Sequence, residues 1–210
     1  GYDLWVTEPR TKETKILAKL GTGGGNLEMS KDGKTLFVLK DGALTKIDEL
    51  QDLDIEWHFI GHVQRNKTKH LAEKFAWVHG VDRLMIAERL SSQRLSSQQP
   101  LNLCIQVNID GQDSKDGCQP AEVVELVQQM SQLPNVRLRG LMVIPAPENN
   151  AAFVDAKILF EQVKSQHAQP QDWDTLSMGM SADLDAAIAA GSTMVRVGTA
   201  LFGARDYSNI

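Results

Sequence analysis

Hydrophobic and polar residues change their spacing along the chain near residue 48. Before that point, short β-prone runs such as 35–39 alternate with turn signals, and no helical period is visible. Two Asp-Gly pairs, at positions 32–33 and 41–42, predict tight hairpin turns because glycine accepts a positive φ. The pattern therefore predicts an antiparallel β meander over residues 1–48.

The remaining residues, 49–210, alternate between strand-like and helix-like patterns. Strands are predicted at 57–61, 77–80, 101–109, 138–144, 175–178 and 194–197, with helices at 66–75, 82–90, 120–132, 151–166 and after Ser181. Repeated βα units predict a parallel sheet covered by helices. Six such units fit either an open doubly wound sheet or part of an eightfold barrel, and periodicity leaves both open.

Composition narrows the class of protein. With 42% hydrophobic and 23% charged residues, the 210-residue chain can bury a sizeable core. A net charge of −5 argues against a nucleic-acid or anionic-membrane binder, and no apolar run is long enough to span a membrane. The chain opens at Gly1 with no signal-peptide pattern, so we expect a processed chain or a piece of a longer one. Two cysteines, Cys104 and Cys118, match no metal motif and favour a reducing, cytoplasmic setting.

Several motifs give residues 49–210 a specific resemblance. They lie at 57–67, 106–109, 114–117, 139–145, 176–184 and 187–205. On these motifs the segment resembles the pyridoxal phosphate homeostasis protein family, whose fold is like the N-terminal barrel of alanine racemase. The resemblance implies an α/β fold, a partial TIM-type (β/α) barrel containing strands three to eight. It also implies pyridoxal 5′-phosphate (PLP) as the cofactor.

Residues 1–48 resemble something else, a single blade of a tricorn-type or WD40-like β-propeller, on the runs 3–6, 29–37 and 42–48. One blade cannot bury its own faces. The motif with the Schiff-base lysine on the family's first strand does not occur here, nor does the motif on its second strand. We therefore interpret the chain as a chimera of two domains, 1–48 and 49–210, in which the meander completes or flanks the barrel.

A phosphate site is implied at the end of the barrel. Gly198 and Thr199 offer backbone N–H groups and a hydroxyl, and Ser181 offers a second hydroxyl at a predicted helix N-cap. By resemblance these three residues bind the PLP phosphate. Without the resemblance, Gly-Thr would be read as an ordinary turn and Ser181 as an ordinary cap.

Three further residues are assigned to the cofactor by the same resemblance. Arg196 faces the pyridine nitrogen and keeps it unprotonated, which weakens the ring as an electron sink. The alternative is an arginine paired with an acid on a barrel strand. Ser177 supports Arg196 or is simply a satisfied barrel serine. Lys115 approaches the site entrance or is a solvated lysine of the polar loop 110–117.

Other candidates are given structural roles. His58 and Asn108 are expected to face the barrel interior without a catalytic function, and Cys104 is expected to be a small core residue. Lys40 ends an apolar strand, as the family's Schiff-base lysine does. It precedes a predicted hairpin turn, so we interpret it as an exposed turn lysine.

The sequence thus predicts a PLP homeostasis-type protein that binds PLP weakly and non-covalently, without the Schiff-base lysine motif. The alternative is an engineered or recombined chimera that folds but is functionally impaired, and an amino-acid racemase-like enzyme is disfavoured. No catalytic residue and no metal site is predicted. The expected partner of this cytoplasmic monomer is PLP or another phosphate-bearing small molecule, with no nucleic acid and no membrane.

Overall fold

The computed structural model describes residues 56–112 and 115–197, together with the backbone of five strands within residues 1–55. The chain divides into two compact units, Gly1–Ile55 with Val197–Ile210, and Glu56–Arg196.

The described strands of the first unit are all antiparallel. They are β1 Tyr2–Thr7, β2 Thr14–Gly21, β3 Asn26–Met29, β4 Leu36–Lys40 and β5 Ala43–Ile47. Strand β1 pairs with β2, and β4 lies between β3 and β5 with Lys40 opposite Ala43. The propeller-blade interpretation of residues 1–48 and their completion of the barrel stay predictions.

The second unit alternates strands and helices as the sequence predicts. Its strands are β6 His58–Phe59, β7 Trp77–Val81, β8 Leu101–Val107, β9 Val136–Val143 and β10 Thr175–Ser177. Its helices are α1 Thr68–Lys74, α2 Leu84–Gln93, α3 Val123–Met130, α4 Ala151–Lys164 and α5 Leu184–Ala189. None of the described helices is long and apolar enough to cross a bilayer.

The five strands form one parallel sheet in the order β6-β7-β8-β9-β10. Each strand lies beside the next one in the sequence, without the reversal of order that defines a doubly wound sheet. This sequential order is that of a (β/α) barrel, so the described sheet is a parallel half-barrel. Within the described ranges, the predicted last strand, 194–197, contributes an isolated parallel bridge from Met194 to Ser177.

The two faces of this sheet differ in composition. Residues that alternate along β8, namely Leu101, Leu103, Ile105 and Val107, belong to the main hydrophobic core with residues of the helices. On the opposite face Trp77, Cys104 and Met142 form a small separate apolar cluster. We call this second face the inner face, since in a barrel the side away from the helices is the lumen.

A bulge at Arg139 and Gly140 shifts the alternation of β9. Leu103 pairs with Leu138 but Cys104 pairs with Gly140, so Arg139 is the extra residue. A Cβ on Gly140, whose φ is 153°, would lie 1.8 Å from the carbonyl oxygen of Thr175. Only glycine allows β9 and β10 to approach this closely.

Some predicted element boundaries need correction. The strand predicted at 57–61 is reduced to His58–Phe59. The helix predicted from Pro120 begins as a 3₁₀ turn, Pro120–Glu122, in which the Glu122 carboxylate accepts a hydrogen bond from the Gln119 backbone N–H. Ser181 is not a helix N-cap: α5 starts at Leu184 with Asp183 at the cap position.

Candidate functional site

A continuous line of polar side chains crosses the inner face. Arg196 Nη1 donates to Ser177 Oγ over 2.9 Å, and Ser177 Oγ lies 3.2 Å from Nδ1 of His79. Nε2 of His79 is 3.0 Å from Nδ1 of His58, whose Nε2 is 3.4 Å from Oε1 of Glu56. These five residues, called the polar relay below, connect β6, β7, β10 and the segment that follows Met194.

Burial determines the protonation state of the two histidines in the polar relay. His79 and Ser177 are fully buried. Burial, together with smaller contributions from the nearby His58 and Arg196, lowers the pKa of His79 to about 3. Burial also lowers the pKa of His58, although the neighbouring Glu56 opposes this shift. Both imidazoles are therefore neutral near pH 7, between a guanidinium at one end and a carboxylate at the other.

Arg196 is held at a second point and forms no ion pair with a described residue. Its Nη2 donates to the carbonyl oxygen of Val143 over 3.0 Å, and its backbone N–H donates to Gly179. Burial lowers the pKa of the guanidinium, which nevertheless stays protonated at any physiological pH. No ion pair joins Arg196 to an acid among the described residues, although Asp183 is near enough to oppose the lowering of its pKa.

Arg139, the other arginine on the inner face, has a different environment. It forms an ion pair with Asp174 and donates from Nη1 to Asn102 Oδ1 over 2.9 Å. Its guanidinium carbon also lies 4.7 Å from the centre of the Trp77 ring, a cation–π contact. Arg139 lies at the amino ends of the strands and Arg196 at their carboxyl ends.

Lys115 is held at the carboxyl ends of β8 and β9. Its Nζ donates to the carbonyl oxygen of Ile144 over 2.9 Å and lies 3.6 Å from Oδ2 of Asp110. The same carboxylate oxygen accepts a hydrogen bond of 2.5 Å from the backbone N–H of Ala146. Less than a quarter of the lysine side chain is exposed. Of the two alternatives for Lys115, the solvated loop lysine does not fit these contacts.

A cavity of about 210 Å³ opens beside Lys115. It is lined by Gln106, Val107, Asn108, Lys115, Asp116 and Ile144. Oε1 of Gln106 is buried without a hydrogen-bond partner among the described residues, as is Oδ1 of the neighbouring Asp110. Two acceptors without donors beside a cavity are the arrangement of a polar ligand site.

The structure brings some of the predicted site residues together. Ser177 contacts Arg196, as predicted, and Lys115 lies at the same end of the sheet. Ser181 is partly buried in the turn before α5. Gly198 and Thr199 lie outside the described residues. The cofactor roles of all six stay predictions.

Sequence reasoning missed His79, Glu56 and Asp110. His79 is two residues beyond the inner-face Trp77 in β7, and this period of two was the available signal. Glu56 lies before the first residue of β6, outside the regular alternation of the strand. The contact between Asp110 and Ala146 depends on how two loops meet. The spacing of apolar residues therefore gives no signal for Glu56 or for Asp110.

Two of the residues given structural roles, Asn108 and Cys104, are buried. Asn108 closes its loop by donating to the Gln112 carbonyl and accepting from the Gln112 N–H. Cys104 is fully buried, and burial raises the pKa of its thiol to about 12, which makes it an inert core residue. Within the described ranges no cluster of His, Cys, Asp or Glu is arranged to hold a metal ion.

Comparison with known proteins identifies a family. Residues 39–206 match the sequence profile described as the alanine racemase N-terminal domain. The pyridoxal phosphate homeostasis protein of Pseudomonas aeruginosa is 54% identical over 170 residues, which cover 79% of this chain and 71% of the relative. The protein of the same name from Escherichia coli K12 is 52% identical over 171 residues, which cover 78% and 72%.

Solved structures give the same assignment. PipY of Synechococcus elongatus PCC7942 is 40% identical and superposes with a TM-score of 0.66, covering 74% of each chain. Its structure with PLP bound is 39% identical with a TM-score of 0.65 over the same shares. Alanine racemase of Clostridium difficile 630, at 15% identity and a TM-score of 0.58, is similar in fold alone.

Proposed function

This chain belongs to the pyridoxal phosphate homeostasis protein family, and we propose that it binds PLP at the carboxyl ends of its parallel strands. In this proposal it is a non-catalytic carrier of PLP. When bound, PLP supplies a reactive aldehyde and an aromatic electron sink. The residues described here bind and orient the cofactor.

One observation carries the proposal, namely that the guanidinium of Arg196 forms no direct ion pair among the described residues. Its neighbours Ser177 and Val143 take two of its five N–H groups, which leaves three without a partner among the described residues. A partly buried guanidinium without a carboxylate is stabilised by an electron-rich ligand group. The unprotonated nitrogen of a pyridine ring is such a group, and it would accept a hydrogen bond from Arg196 without gaining a proton.

The remaining contacts rest on the family assignment. Ser181, Gly198 and Thr199 are proposed to bind the phosphate, and Lys115 to line the entrance. The cavity beside Lys115 and the unsatisfied oxygens of Gln106 and Asp110 are compatible with a polar ligand at this end of the sheet. Among the described residues, the imidazoles near Arg196 are neutral and engaged with each other, which fits binding better than proton transfer.

The finer proposals on the rest of the chain rest on sequence. The family match begins at residue 39, inside the segment 1–48 whose other motifs suggest a propeller blade. A chimera that folds but is impaired stays the alternative. The proposed cytoplasmic setting is supported by the two free, buried cysteines, since free thiols are typical of reducing compartments. The proposed monomeric state rests on the sequence alone.

Titration separates the proposal from the alternative. The purified full chain is titrated with PLP, with pyridoxal and with inorganic phosphate, and binding is followed by absorbance and tryptophan fluorescence. We expect saturable binding of PLP, with pyridoxal binding at least tenfold more weakly because it lacks the phosphate. A Thr199→Val variant should weaken the binding of PLP more than the binding of pyridoxal, because pyridoxal has no phosphate for Thr199 to contact. Equal weak binding of all three probes would reject a PLP site and favour the impaired chimera.

A further inference from the structure

The two ends of the polar relay differ in their hydrogen-bonding character. The guanidinium of Arg196 can only donate hydrogen bonds, and the carboxylate of Glu56 can only accept them. Three side chains separate these ends, and the four contacts from Arg196 to Glu56 measure 2.9, 3.2, 3.0 and 3.4 Å. The direction of every hydrogen bond in the relay can therefore be worked out from either end.

From the arginine end, the direction is set by a buried hydroxyl. Ser177 accepts from Arg196, so its own hydrogen needs an acceptor. The available acceptor at hydrogen-bonding distance, among the described residues, is Nδ1 of His79. A hydroxyl hydrogen left unpaired in this fully buried position would be destabilising. Nδ1 of His79 is therefore unprotonated, and the proton of this imidazole is on Nε2.

The carboxylate end gives the same answer independently. Oε1 of Glu56 accepts from Trp77 Nε1 over 2.6 Å and faces Nε2 of His58, which must then carry a hydrogen. A neutral His58 has Nδ1 free to accept, so Nε2 of His79 must donate to it. His79 then accepts at Nδ1 from Ser177. Both ends require the same tautomer of both histidines.

We infer that His79 and His58 are positioning residues, each fixed in the Nε2–H tautomer, so that hydrogen bonds run in one direction from Arg196 to Glu56. The relay holds the Ser177 hydroxyl as an acceptor toward Arg196. The hydroxyl hydrogen of Ser177 is donated to Nδ1 of His79, so Ser177 has no hydrogen left to donate to a ligand. A second proton on His58 would set its Nδ1–H against the Nε2–H of His79. A second proton on His79 would set its Nδ1–H against the hydroxyl hydrogen of Ser177.

The consequence for binding rests on the proposed function. Ser177 and Val143 fix two N–H groups of Arg196, so the guanidinium presents its remaining donors in a set orientation. Loss of the acceptor at His79 would leave the Ser177 hydroxyl free to rotate, so that the side chain of Arg196 would be held firmly only at Val143 among its two side-chain contacts. Preorganised donors cost little entropy when a ligand binds, so a mobile guanidinium should bind PLP less tightly.

Nuclear magnetic resonance of the ligand-free protein tests the tautomers directly. Long-range ¹⁵N–¹H correlation spectra of uniformly ¹⁵N-labelled protein near neutral pH distinguish protonated from unprotonated ring nitrogens. Signals are assigned from their loss in His58 and His79 variants. We expect both residues to show protonated Nε2 and unprotonated Nδ1. A proton on Nδ1 of either residue, or a doubly protonated imidazole, would overturn the inference.

A matched pair of variants tests the effect on binding. In His79→Asn the Oδ1 atom occupies roughly the place of Nδ1 and can accept from Ser177, whereas His79→Leu removes the acceptor. We expect PLP binding to weaken about tenfold in His79→Leu and less than threefold in His79→Asn, since tenfold corresponds to about 1.4 kcal/mol, the size of one hydrogen bond to a charged group. Equal loss in the two variants would mean that only packing matters and would reject the positioning role.

The tautomer measurement keeps this inference separate from the proposed function. If wild-type protein shows the expected tautomers and does not bind PLP, the relay stands and the proposed function fails. If PLP binds but the tautomers differ, the positioning role fails and the proposed function stands. If His79→Leu does not fold, the spectra of the wild-type protein still decide.

Discussion

The inner face of the half-barrel carries an arginine at each end, and the two are used differently. At the amino ends of the strands Arg139 is satisfied by Asp174, Asn102 and the Trp77 ring. At the carboxyl ends Arg196 contacts a hydroxyl and a carbonyl oxygen and forms no ion pair in the described part of the chain, although Asp183 is near enough to favour its charged form. A charge neutralised within the protein stabilises the fold, whereas a charge left without a counterion is available to a ligand.

The strongest test of this difference removes the charge of Arg196. In Arg196→Met we expect PLP binding to weaken about a hundredfold, since hydrogen bonds from a charged donor contribute about 1.5–3 kcal/mol each. Stability in the absence of PLP should be unchanged or slightly higher, because a poorly compensated buried charge is removed. Isothermal titration calorimetry and thermal unfolding measure the two quantities.

An unaltered PLP affinity in Arg196→Met would place the cofactor elsewhere. Arg196→Lys serves as the control. It keeps the charge but cannot reach Ser177 and Val143 with two donors at once. We expect its affinity to lie between those of the wild-type protein and Arg196→Met.

The matching change at the other end should affect folding. Arg139→Met leaves Asp174 and Asn102 without their partner, and we expect the free energy of unfolding to fall by about 2 kcal/mol. This is below the loss for a fully buried pair because the Asp174 side chain is about half exposed. PLP affinity should stay within threefold. Chemical denaturation gives the stability, and a large loss of affinity at constant stability would contradict the division of roles.

The polar relay between the arginines should make stability depend on pH. The pKa of His79 is about 3 in the folded protein and about 6.5 in the unfolded chain. Between these values the unfolded chain binds the additional proton, so stability falls as the pH decreases from 6.5 toward 3 and levels off below 3. This one group contributes a slope of up to about 1.4 kcal/mol per pH unit. In His79→Asn, denaturation across this range should show a shallower slope, and an unchanged slope would assign the effect to other groups.

The fold was predictable where it depends on local periodicity, and less so where distant segments meet. The helices and the parallel strands β7 to β10 follow from apolar residues spaced by 3.6 or by two. The bulge at Arg139 was not predictable, because Gly140 is required by the approach of the Thr175 carbonyl oxygen. Among the described residues, the predicted last strand makes one bridge, at Met194. The length of a strand depends on its neighbouring strand, which the local spacing of apolar residues does not reveal.

The candidate site divides in the same way. The contact between Ser177 and Arg196 could be predicted because both lie in motifs of a recognisable family. His79 could not be assigned to it, because it lies 98 residues from Ser177 in the sequence. The sequence left two alternatives open for Lys115, because the carbonyl oxygen that holds it belongs to Ile144, 29 residues away.

Lys115 gives a smaller expected effect at the carboxyl end. Its amine is already bound to Ile144 and Asp110, so we expect Lys115→Met to weaken PLP binding by less than tenfold. For the same reason we predict that PLP binds without a stoichiometric covalent bond to this lysine. Borohydride treatment of the PLP-loaded protein and mass spectrometry of its peptides check this, and a complete pyridoxyl adduct on Lys115 would refute it.

The smallest expected effect lies at the outer end of the relay, where Glu56 fixes the direction of the hydrogen bonds. Its side chain is more than half exposed and contacts His58 over 3.4 Å, so replacing it costs little stability. Glu56→Gln exchanges an acceptor for a group that can also donate, so His58 is no longer forced to keep its proton on Nε2. The arginine end still requires His79 to accept from Ser177, and His79 should therefore keep its tautomer while the signals of His58 broaden or shift. We expect PLP affinity to change by less than twofold. If the tautomer of His79 changes as well, the direction of the relay is set by Glu56 and not by Arg196.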